Sequence, residues 1–378
     1  MVPIYLDYNA TTPIDPEVIE AMLPFLEEKF GNPSSMHWYG ISSRKALIKA
    51  REQVADLINC DPSEIIFTSG GTESNNYALK GFALANRHKG NHIITSSIEH
   101  PSVTEVCKYL QTIGFKVTYL PVDNKGSVSL KTLNESIKQD TILISIMHAN
   151  NEVGTIQPIE ELANIAQEKG ICFHTDTAQS LGKIPVDNKK LKADMISIAG
   201  HKLYAPKGVG ALYVKDGLSL EKLILGANQE HGHRAGTENI LEIIGLGKAC
   251  EIAKRDMSKN YNHLKAMSSR LWDGLASDIP NIKLNGHPKK RLPNTLNVSF
   301  PEINEYFQIN LFLEIAASAG AACHSSNFKI SQVLKAMKVP PELAKGTIRF
   351  STGKMTTPDE IDMAISKVVE IYYKQKVC

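Results

Sequence analysis

The sequence predicts an α/β fold with a mostly parallel sheet, followed by a smaller α+β domain, and three observations support this prediction. Seven short, almost continuously apolar segments alternate with helical patterns, which is typical of strands buried on both faces of a sheet. After Gly247 the pattern changes to a long amphipathic stretch and then to shorter strands. With 378 residues, 42% of them hydrophobic and 22% charged, the chain is long enough to build two cores.

The elements of the large domain follow in chain order. The predicted strands are EIIFTS, NHIITSS, KVTYLPV, TILISIMHA, ICFHTD, DMISIAG and GALYV. Helical periodicity lies between them, for example in SRKALIKAREQVADLI and in PIEELANIAQEKG, where Gly170 is predicted to end the helix.

The smaller domain is predicted to begin with one long helix, GKACEIAKRDMSKNYNHLKAMSSRLWDGLAS, and to continue with strands in IKLNG, TLNVSF and TIRFSTG. We therefore predict a large domain over residues 15–247 and a small domain over residues 248–378. Residues 1–14 are expected to form an N-terminal arm that associates with the small domain.

Charge and cysteine pattern narrow the class of function. The chain carries 42 basic and 40 acidic residues, a formal charge of +2, so it does not indicate binding to nucleic acid or anionic lipid, and small-molecule chemistry is favoured. None of the six cysteines forms a CxxC pair, which argues against a zinc knuckle and a disulfide framework. Because there is no targeting pattern and no apolar run of roughly 18 residues, we expect a soluble, cytoplasmic protein.

A glycine pair follows the first predicted strand. In IIFTSGGTESNN, Gly70 and Gly71 lead into Thr72 at the start of a predicted helix. Free backbone N–H groups at a helix start bind anions, and glycine allows a phosphate to approach the backbone. An ordinary turn with a helix cap is the alternative.

Two charged residues come at the ends of later predicted strands. Asp176 ends ICFHTD, and Lys202 follows DMISIAG in GHKLYAPKG. Ligands of open α/β sheets bind at such strand ends, and a lysine placed there is a candidate for Schiff-base chemistry. The alternatives are a structural ion pair for Asp176 and a lysine whose amine reaches the surface. Together with the phosphate site, these residues match the needs of pyridoxal phosphate, namely a lysine, a carboxylate for the ring nitrogen and a phosphate cradle.

A segment of small residues, SAGAACHSSNF, carries Cys323. Its composition predicts a mobile loop over about 318–330, and a turn between two helices is the alternative. A free thiol with a pKa near ~8.5 needs activation to react at neutral pH. The sequence leaves open whether His324, His100 or a group of the substrate activates it.

Nine motifs in order carry a family resemblance: LDYNATTP, GGTESNN, EHPSV, NNEVG, HTDTAQ, GHKLYAPKG, RAGTEN, AACHS and RFSTGK. With these motifs, the chain resembles the cysteine desulfurases of the NifS/IscS type, within the class V aminotransferase fold of fold type I pyridoxal-phosphate enzymes. Close relatives include selenocysteine lyases and desulfurases of DNA phosphorothioation. The resemblance covers nearly the whole chain.

The resemblance implies a set of cofactor-binding residues. Lys202 would hold pyridoxal 5'-phosphate, Asp176 would pair with its ring nitrogen, and Gln179 and Asn151 would bind its phenolic oxygen. His100 would stack on the ring and move protons; from the residues alone it could equally be a loop or core histidine. The phosphate would be bound by Gly71, Thr72 and His201, and by Thr237 of a second subunit, which implies a homodimer with shared active sites.

The resemblance also implies the reaction. Arg349, with Asn151, would bind the carboxylate of L-cysteine; without the family context Arg349 could be a surface-strand residue. Cys323 would attack the substrate sulfur, giving L-alanine and a persulfide for a sulfur-acceptor protein. Iron–sulfur cluster assembly, tRNA thiolation and DNA thiolation are possible uses. The alternatives are a selenocysteine lyase and, more distantly, a pyridoxal-phosphate aminotransferase.

Some positions depart from the pattern of the family. Ala199 occupies the position where family members that deliver sulfur to a scaffold usually have serine, so one hydrogen bond to the phosphate is expected to be lost or replaced. The chain stops at YYKQKVC, without the tail that docks the iron–sulfur scaffold, which leaves the acceptor open. The segment HGHR, from His231 to Arg234, resembles half of a metal site, but we expect a polar interface loop and no metal.

Overall fold

The computed structural model describes residues 4–324 and 327–376. Its strands are β1 (Ile4–Tyr5), β2 (Ile65–Thr68), β3 (His92–Ser96), β4 (Lys116–Leu120), β5 (Thr141–Ser145), β6 (Cys172–Asp176), β7 (Met195–Ala199), β8 (Gly210–Val214), β9 (Lys283–Asn285), β10 (Thr295–Ser299), β11 (Ile315–Ala316), β12 (Ser318–Ala319), β13 (Ala321–His324), β14 (Asn327–Ile330) and β15 (Thr347–Ser351). Its helices are α1 (Pro16–Glu27), α2 (Trp38–Ile58), α3 (Gly71–Asn76), α4 (Phe82–Ala85), α5 (Pro101–Thr112), α6 (Leu130–Ser136), α7 (Ile159–Glu168), α8 (Asn188–Leu191), α9 (Ile240–Arg255), α10 (Met257–Asp278), α11 (Glu305–Glu314), α12 (Gln332–Ala336), α13 (Pro341–Lys345) and α14 (Pro358–Lys374).

The seven strands predicted for the large domain form one seven-stranded sheet in the order β2-β8-β7-β6-β5-β3-β4, so that prediction is confirmed. The neighbouring pairs from β7 to β4 are parallel, and β8 is antiparallel to both β7 and β2. Because β5, β6 and β7 are parallel, their carboxyl ends meet at one edge of the sheet, which is where ligands of such folds bind.

Helices cover both faces of this sheet. Adjacent residues of one strand point into different cores: Ile196 packs with α2, α7 and α9, whereas Met195 packs with α5 and the helical segment that contains α4. This arrangement explains why the strands are continuously apolar. The exception is β4, which is the edge strand and exposes Lys116 and Tyr119, so the expectation of burial on both faces is wrong there.

The prediction that Gly170 ends a helix is confirmed. Helix α7 ends at Glu168, and Gly170 adopts a left-handed conformation with φ 65°, which glycine reaches without strain.

The prediction of one long helix after Gly247 is wrong, because the helix is interrupted at Asp256 (φ −102°, ψ 11°) and divided into α9 and α10. Helix α9 buries Leu246 and Cys250 in the core of the large sheet, whereas α10 buries Leu271 and Leu275 in a second core. Helical periodicity continues through the break, since no glycine or proline stands there, but the two halves serve different cores. We therefore propose that the domain boundary lies at Asp256 rather than at Gly247.

The second core lies against a four-stranded antiparallel sheet in the order β12-β15-β10-β9, which contains the three strands predicted for the small domain. The N-terminal segment lies against this part of the chain: β1 pairs with β11, and Leu6 is fully buried in the second core. These contacts support the proposed association with the small domain for residues 4–6, whereas Thr12 and Ile14 contact the large domain.

The segment predicted as a mobile loop over about 318–330 has extended backbone in the described part. It contains β12 and a hairpin of β13 and β14, in which Cys323 is opposite Phe328. Ser325, Ser326 and the side chain of Cys323 lie outside the part that the structure describes. In the described ranges, the structure has no helix that is both long and apolar enough to cross a bilayer.

Candidate active site

A cavity of about 330 Å³ lies at the carboxyl ends of β5, β6 and β7 and is closed on one side by β15 of the small domain. The predicted site residues that line it are Gly71, Thr72, His100, Asn151, Asp176, Gln179, His201, Lys202 and Arg349. Residues that had no predicted role also line it, among them Asn9, Asn75 and Ser102. The last three stand within the motifs LDYNATTP, GGTESNN and EHPSV, which was the available signal for them.

Lys202 lies in a short helical turn directly after β7. Its Nζ donates to the carbonyl oxygens of Asn9 (2.5 Å) and Ala10 (2.6 Å) of the N-terminal segment. Burial and the nearby guanidinium of Arg349 lower the pKa of Lys202 to about 8, although Asp7 and Asp176 oppose this shift. Near pH 8, about half of Lys202 is therefore the neutral, nucleophilic amine.

Asp176 is 7% exposed at the end of β6. Its Oδ2 accepts from Asn75 Nδ2 (2.7 Å) and its Oδ1 from the backbone N–H of Ala178 (2.8 Å). Among the described residues no cation forms an ion pair with it, so the alternative of a structural ion pair finds no partner there. A buried carboxylate with spare acceptor capacity and no cation fits a ligand that brings its own N–H donor.

The glycine pair and Thr72 begin a continuous helical stretch that runs from Gly71 through a wider turn to Ala85. Gly70 precedes it with φ 148° and ψ 179°, a conformation that is open in practice only to glycine, and no side chain caps the helix. Gly71 and Thr72 of this uncapped first turn line the cavity, as an anion site requires. A Cβ on Gly71 would lie 3.0 Å from the Cβ of Ala199, so the residue that departs from the family pattern packs against the cradle.

Two histidines line the cavity in a neutral form. His100 is the N-cap of α5, where its Nδ1 accepts from the backbone N–H of Ser102 (3.1 Å), which leaves Nε2 for the cavity. Burial lowers the pKa of His100, against the effect of Asp176. Burial and Lys202 lower the pKa of His201 to about 4, and its Nδ1 lies 3.1 Å from Thr11 Oγ1. With Nδ1 accepting, the neutral ring of His100 carries its proton on Nε2, which gives the cavity a hydrogen-bond donor, and His201 stays neutral at neutral pH.

Arg349 is buried and faces the cavity, rather than lying on the outside of its strand. Its Nη1 donates to the carbonyl oxygen of Asn151 (3.0 Å), and its Nη2 donates to Asp7 Oδ1 and Ser318 Oγ (both 2.7 Å). Its Nε has no hydrogen-bond partner in the described residues. The guanidinium thus keeps free donors for a carboxylate. Asp7, which had no predicted role, balances its positive charge in the absence of a ligand.

A second cavity of about 430 Å³ shares Asn151 and Arg349 with the first. Ser318 and Gly320, which precede the β13–β14 hairpin, and Ser331, which follows it, line this cavity. The base of the segment that carries Cys323 therefore lies beside Arg349.

Thr237 does not line this cavity and is exposed in the loop before α9. In the same loop, Arg234 forms an ion pair with Glu73 of α3 (3.0 Å). Within the described ranges, His231 and His233 do not belong to a group of three or more side chains that could hold a metal.

Comparison with known proteins gives consistent matches. Residues 4–363 match the family described as aminotransferase class-V. The chain is 50% identical over 374 residues to a cysteine desulfurase IscS of Methanosarcina thermophila, which covers 98% of this chain and 92% of the relative. It is also 50% identical over 373 residues to a cysteine desulfurase IscS of Dictyoglomus turgidum, with 98% and 95% covered. A solved structure of a NifS-like protein superposes with a TM-score of 0.93 at 41% identity, covering 99% of this chain and 100% of that one.

Proposed function

This chain belongs to the class V aminotransferase family, and from that premise we propose that it is a cysteine desulfurase that converts L-cysteine to L-alanine and carries the sulfur as a persulfide on Cys323. The observation that carries the proposal is the pairing, in one cavity, of Lys202 and a cation-free Asp176 with the carboxylate-binding donors of Arg349. The segment that bears Cys323 starts from the wall next to this cavity.

The residues fit pyridoxal 5'-phosphate. Lys202 would hold it covalently, Asp176 would accept the N–H of its ring nitrogen, and the uncapped helix start at Gly71 and Thr72 would bind its phosphate with His201. When bound, the cofactor supplies an electron-accepting ring that stabilises the negative charge left by removal of a substrate proton. Asn151 and Gln179, which also line the cavity, would bind its phenolic oxygen.

The chain's own residues would move the protons. Because the pKa of Lys202 is lowered to about 8, its neutral amine can accept a proton near that pH, whereas the neutral ring of His100, whose Nδ1 accepts a hydrogen bond, has a proton to give from Nε2. His100 is held by Ser102 through Nδ1, so Nε2 is the atom that would exchange protons in the cavity.

Arg349 would bind the carboxylate of the substrate. A planar guanidinium binds a carboxylate through parallel hydrogen bonds, and Nε is unpartnered in the described structure. Asp7 occupies Nη2 until the substrate arrives, so substrate binding replaces or shares an existing ion pair.

In the sulfur step, the thiolate of Cys323 attacks the sulfur of the bound cysteine. A sulfur–sulfur bond forms, the carbon–sulfur bond breaks, and its electron pair goes to the substrate carbon, which is protonated to give alanine. The persulfide then passes to a protein acceptor. We propose cytoplasmic iron–sulfur cluster assembly as its use, with tRNA or DNA thiolation as the other uses of such sulfur.

The experiment that tests this function replaces the nucleophile. We expect the parental protein to release sulfide from L-cysteine with thiol reductant and to gain the mass of one sulfur atom, and we expect Cys323→Ala to abolish both. Cys60→Ala, at a half-buried free cysteine, is the matched control and should keep both. Parental sulfide release by Cys323→Ala would contradict the mechanism, and a preference for selenocysteine that survives the substitution would favour a selenocysteine lyase.

We also propose a homodimer. Large apolar side chains are exposed in the loop after α1 and at the start of α2, namely Phe30 (72% exposed), Met36 (90%) and Trp38 (69%), which is unusual on a surface that faces only water. Thr237 is exposed and lies away from the cavity of its own protomer. A second copy that covers the apolar surface could bring its Thr237 to the phosphate end of the neighbouring site.

A further inference from the structure

Lys183 is a buried lysine beside the cavity, and the proposed reaction gives it no role. It is 6% exposed and lies on the helical turn that follows β6, four residues after Gln179. Gln179 lines the cavity, whereas Lys183 stands behind it. A lysine is seldom buried to this extent without a charged partner.

The partners of Lys183 are neutral oxygen atoms. Its Nζ donates to Gln179 Oε1 (3.0 Å) and to Asn9 Oδ1 (3.3 Å), and among the described residues no carboxylate pairs with it. Burial, followed by the positive charges of Lys202 and Arg349, lowers the pKa of Lys183 to about 7. Lys183 therefore lies near two other cations where the described residues supply no carboxylate to pair with it, so an anion bound in the cavity would favour its charged form.

These contacts fix the orientation of the Gln179 side chain. Its Nε2 donates to the carbonyl oxygen of Asn9 (3.0 Å), while its Oε1 accepts from Lys183. A carbonyl oxygen can only accept and an ammonium can only donate, so a flipped amide would place acceptor against acceptor and donor against donor. One N–H of Gln179 remains without an assigned partner and is available to the cavity that Gln179 lines.

We infer that Lys183 is a positioning residue of the cofactor site: it holds the Gln179 amide so that an N–H donor faces the cavity, and its charge complements an oxygen anion bound there. The inference rests on the proposed function, because the anion is the phenolic oxygen of pyridoxal phosphate. Without Lys183, the Gln179 amide could turn its carbonyl oxygen toward that anion and repel it.

The test compares the holoenzyme with Lys183→Met and Lys183→Gln. The measurements are the pH titration of the absorbance of bound pyridoxal phosphate and the Kd of the apoprotein for pyridoxal phosphate by equilibrium dialysis. Removing a nearby cation favours the protonated form at the Lys202 nitrogen, so in Lys183→Met we expect the titration midpoint to rise by roughly one unit. The Kd should rise roughly 10-fold.

Lys183→Gln keeps a hydrogen-bond donor without the charge, and it carries the test if Lys183→Met does not fold. It should recover part of the affinity for pyridoxal phosphate while its titration midpoint stays raised. Lys190→Met, at an exposed lysine of the following segment, is the matched control and should equal the parental protein in both measurements.

A double substitution separates positioning from a general structural effect. In a Gln179→Leu background, Lys183→Met should cost less affinity for pyridoxal phosphate than it does in the parental background, because there is no amide left to orient. Equal losses in the two backgrounds, or titration and binding curves of Lys183→Met that superpose on the parental curves, would overturn the inference. If the parental protein itself binds no pyridoxal phosphate, the proposed function fails first.

Discussion

The charge on Lys202 depends on residues that are far from it in the sequence. Burial and Arg349 lower its pKa, while Asp7 and Asp176 act in the opposite direction. Asp7 also accepts hydrogen bonds from Arg349 and Ser318, so one carboxylate of the N-terminal segment acts on both Lys202, the proposed cofactor lysine, and Arg349, the proposed ligand of the substrate carboxylate. Replacing Asp7 should therefore change the electrostatic environment of both Lys202 and Arg349.

At this scale we predict a pH dependence for rebinding of pyridoxal phosphate to the apoprotein. Because the neutral amine of Lys202 is the reacting form, the rate should rise with pH and level off above about 8. In Asp7→Asn the midpoint should move to lower pH, since the substitution removes a charge that raises the pKa of Lys202.

Stopped-flow absorbance over a pH series measures this rate. Asp140→Asn, at a carboxylate on the opposite end of the strands that pairs with Lys116, is a suitable control because it lies away from Lys202. A midpoint that is the same in Asp7→Asn and in the parental protein would contradict the charge relation.

Among the elements, the edge strand β2 and the loop before α9 are joined by a buried ion pair. Arg51 of α2 binds Glu230 through two hydrogen bonds (2.8 and 2.7 Å), and the pair reaches the outer side of β2. Arg51 donates to the carbonyl oxygen of Ile65, and Glu230 accepts from the backbone N–H of Phe67. The pair thus satisfies backbone groups that an edge strand would otherwise expose, and it anchors the loop that carries Thr237.

We predict that Glu230→Ala lowers the free energy of unfolding by about 3–5 kcal/mol, because it leaves the Arg51 guanidinium buried without its carboxylate. Urea denaturation followed by circular dichroism measures the change. Glu302→Ala removes an exposed carboxylate whose ammonium partner, on Lys376, is 3.9 Å away, and should change stability by less than ~1 kcal/mol. Similar losses of unfolding free energy in the two variants would show that the buried ion pair contributes no more to stability than the exposed one.

For the whole molecule, the cavity depends on contacts between parts of the chain that are far apart in sequence. The N-terminal segment supplies Asn9 and Asp7, the large sheet supplies Asp176 and Lys202, and the small domain supplies Arg349. The proposed homodimer adds Thr237 from a second chain. The activity of a dimer should therefore depend on which two chains form it, because each site takes residues from both.

We predict that two weakened variants complement each other. Lys202→Ala removes the proposed cofactor lysine of its own site, and Thr237→Ala weakens the site of the partner. In a mixed dimer, one site would combine Lys202 of one copy with Thr237 of the other, so mixing after mild dissociation should raise sulfide release above the sum of the separate variants. The control is a mixture of Lys202→Ala and Cys323→Ala. If Cys323 acts in the site of its own chain, each site of this mixed dimer lacks either Lys202 or Cys323, so mixing should not raise sulfide release. Failure of the first mixture, with mixed dimers shown by native mass spectrometry, would contradict a shared site.

Several features of the fold and site could be predicted from local sequence. The seven strands of the large sheet follow from continuous apolar runs, since burial on both faces leaves no polar positions within a strand. The residues at the strand ends and the helix start, such as Asp176, Lys202 and Thr72, also stand in the cavity as their positions indicated.

Only the tertiary structure decided the features that depend on contacts distant in sequence. The break at Asp256 arises because the two halves of one periodic stretch pack into different cores. Of the two edge strands of the large sheet, β4 is exposed whereas β2 is buried, a difference that depends on what packs against each edge. The ion pair of Asp7 with Arg349 and the hold of Lys183 on Gln179 are likewise invisible to periodicity, because a local pattern records how deeply a residue is buried but not which group it meets there.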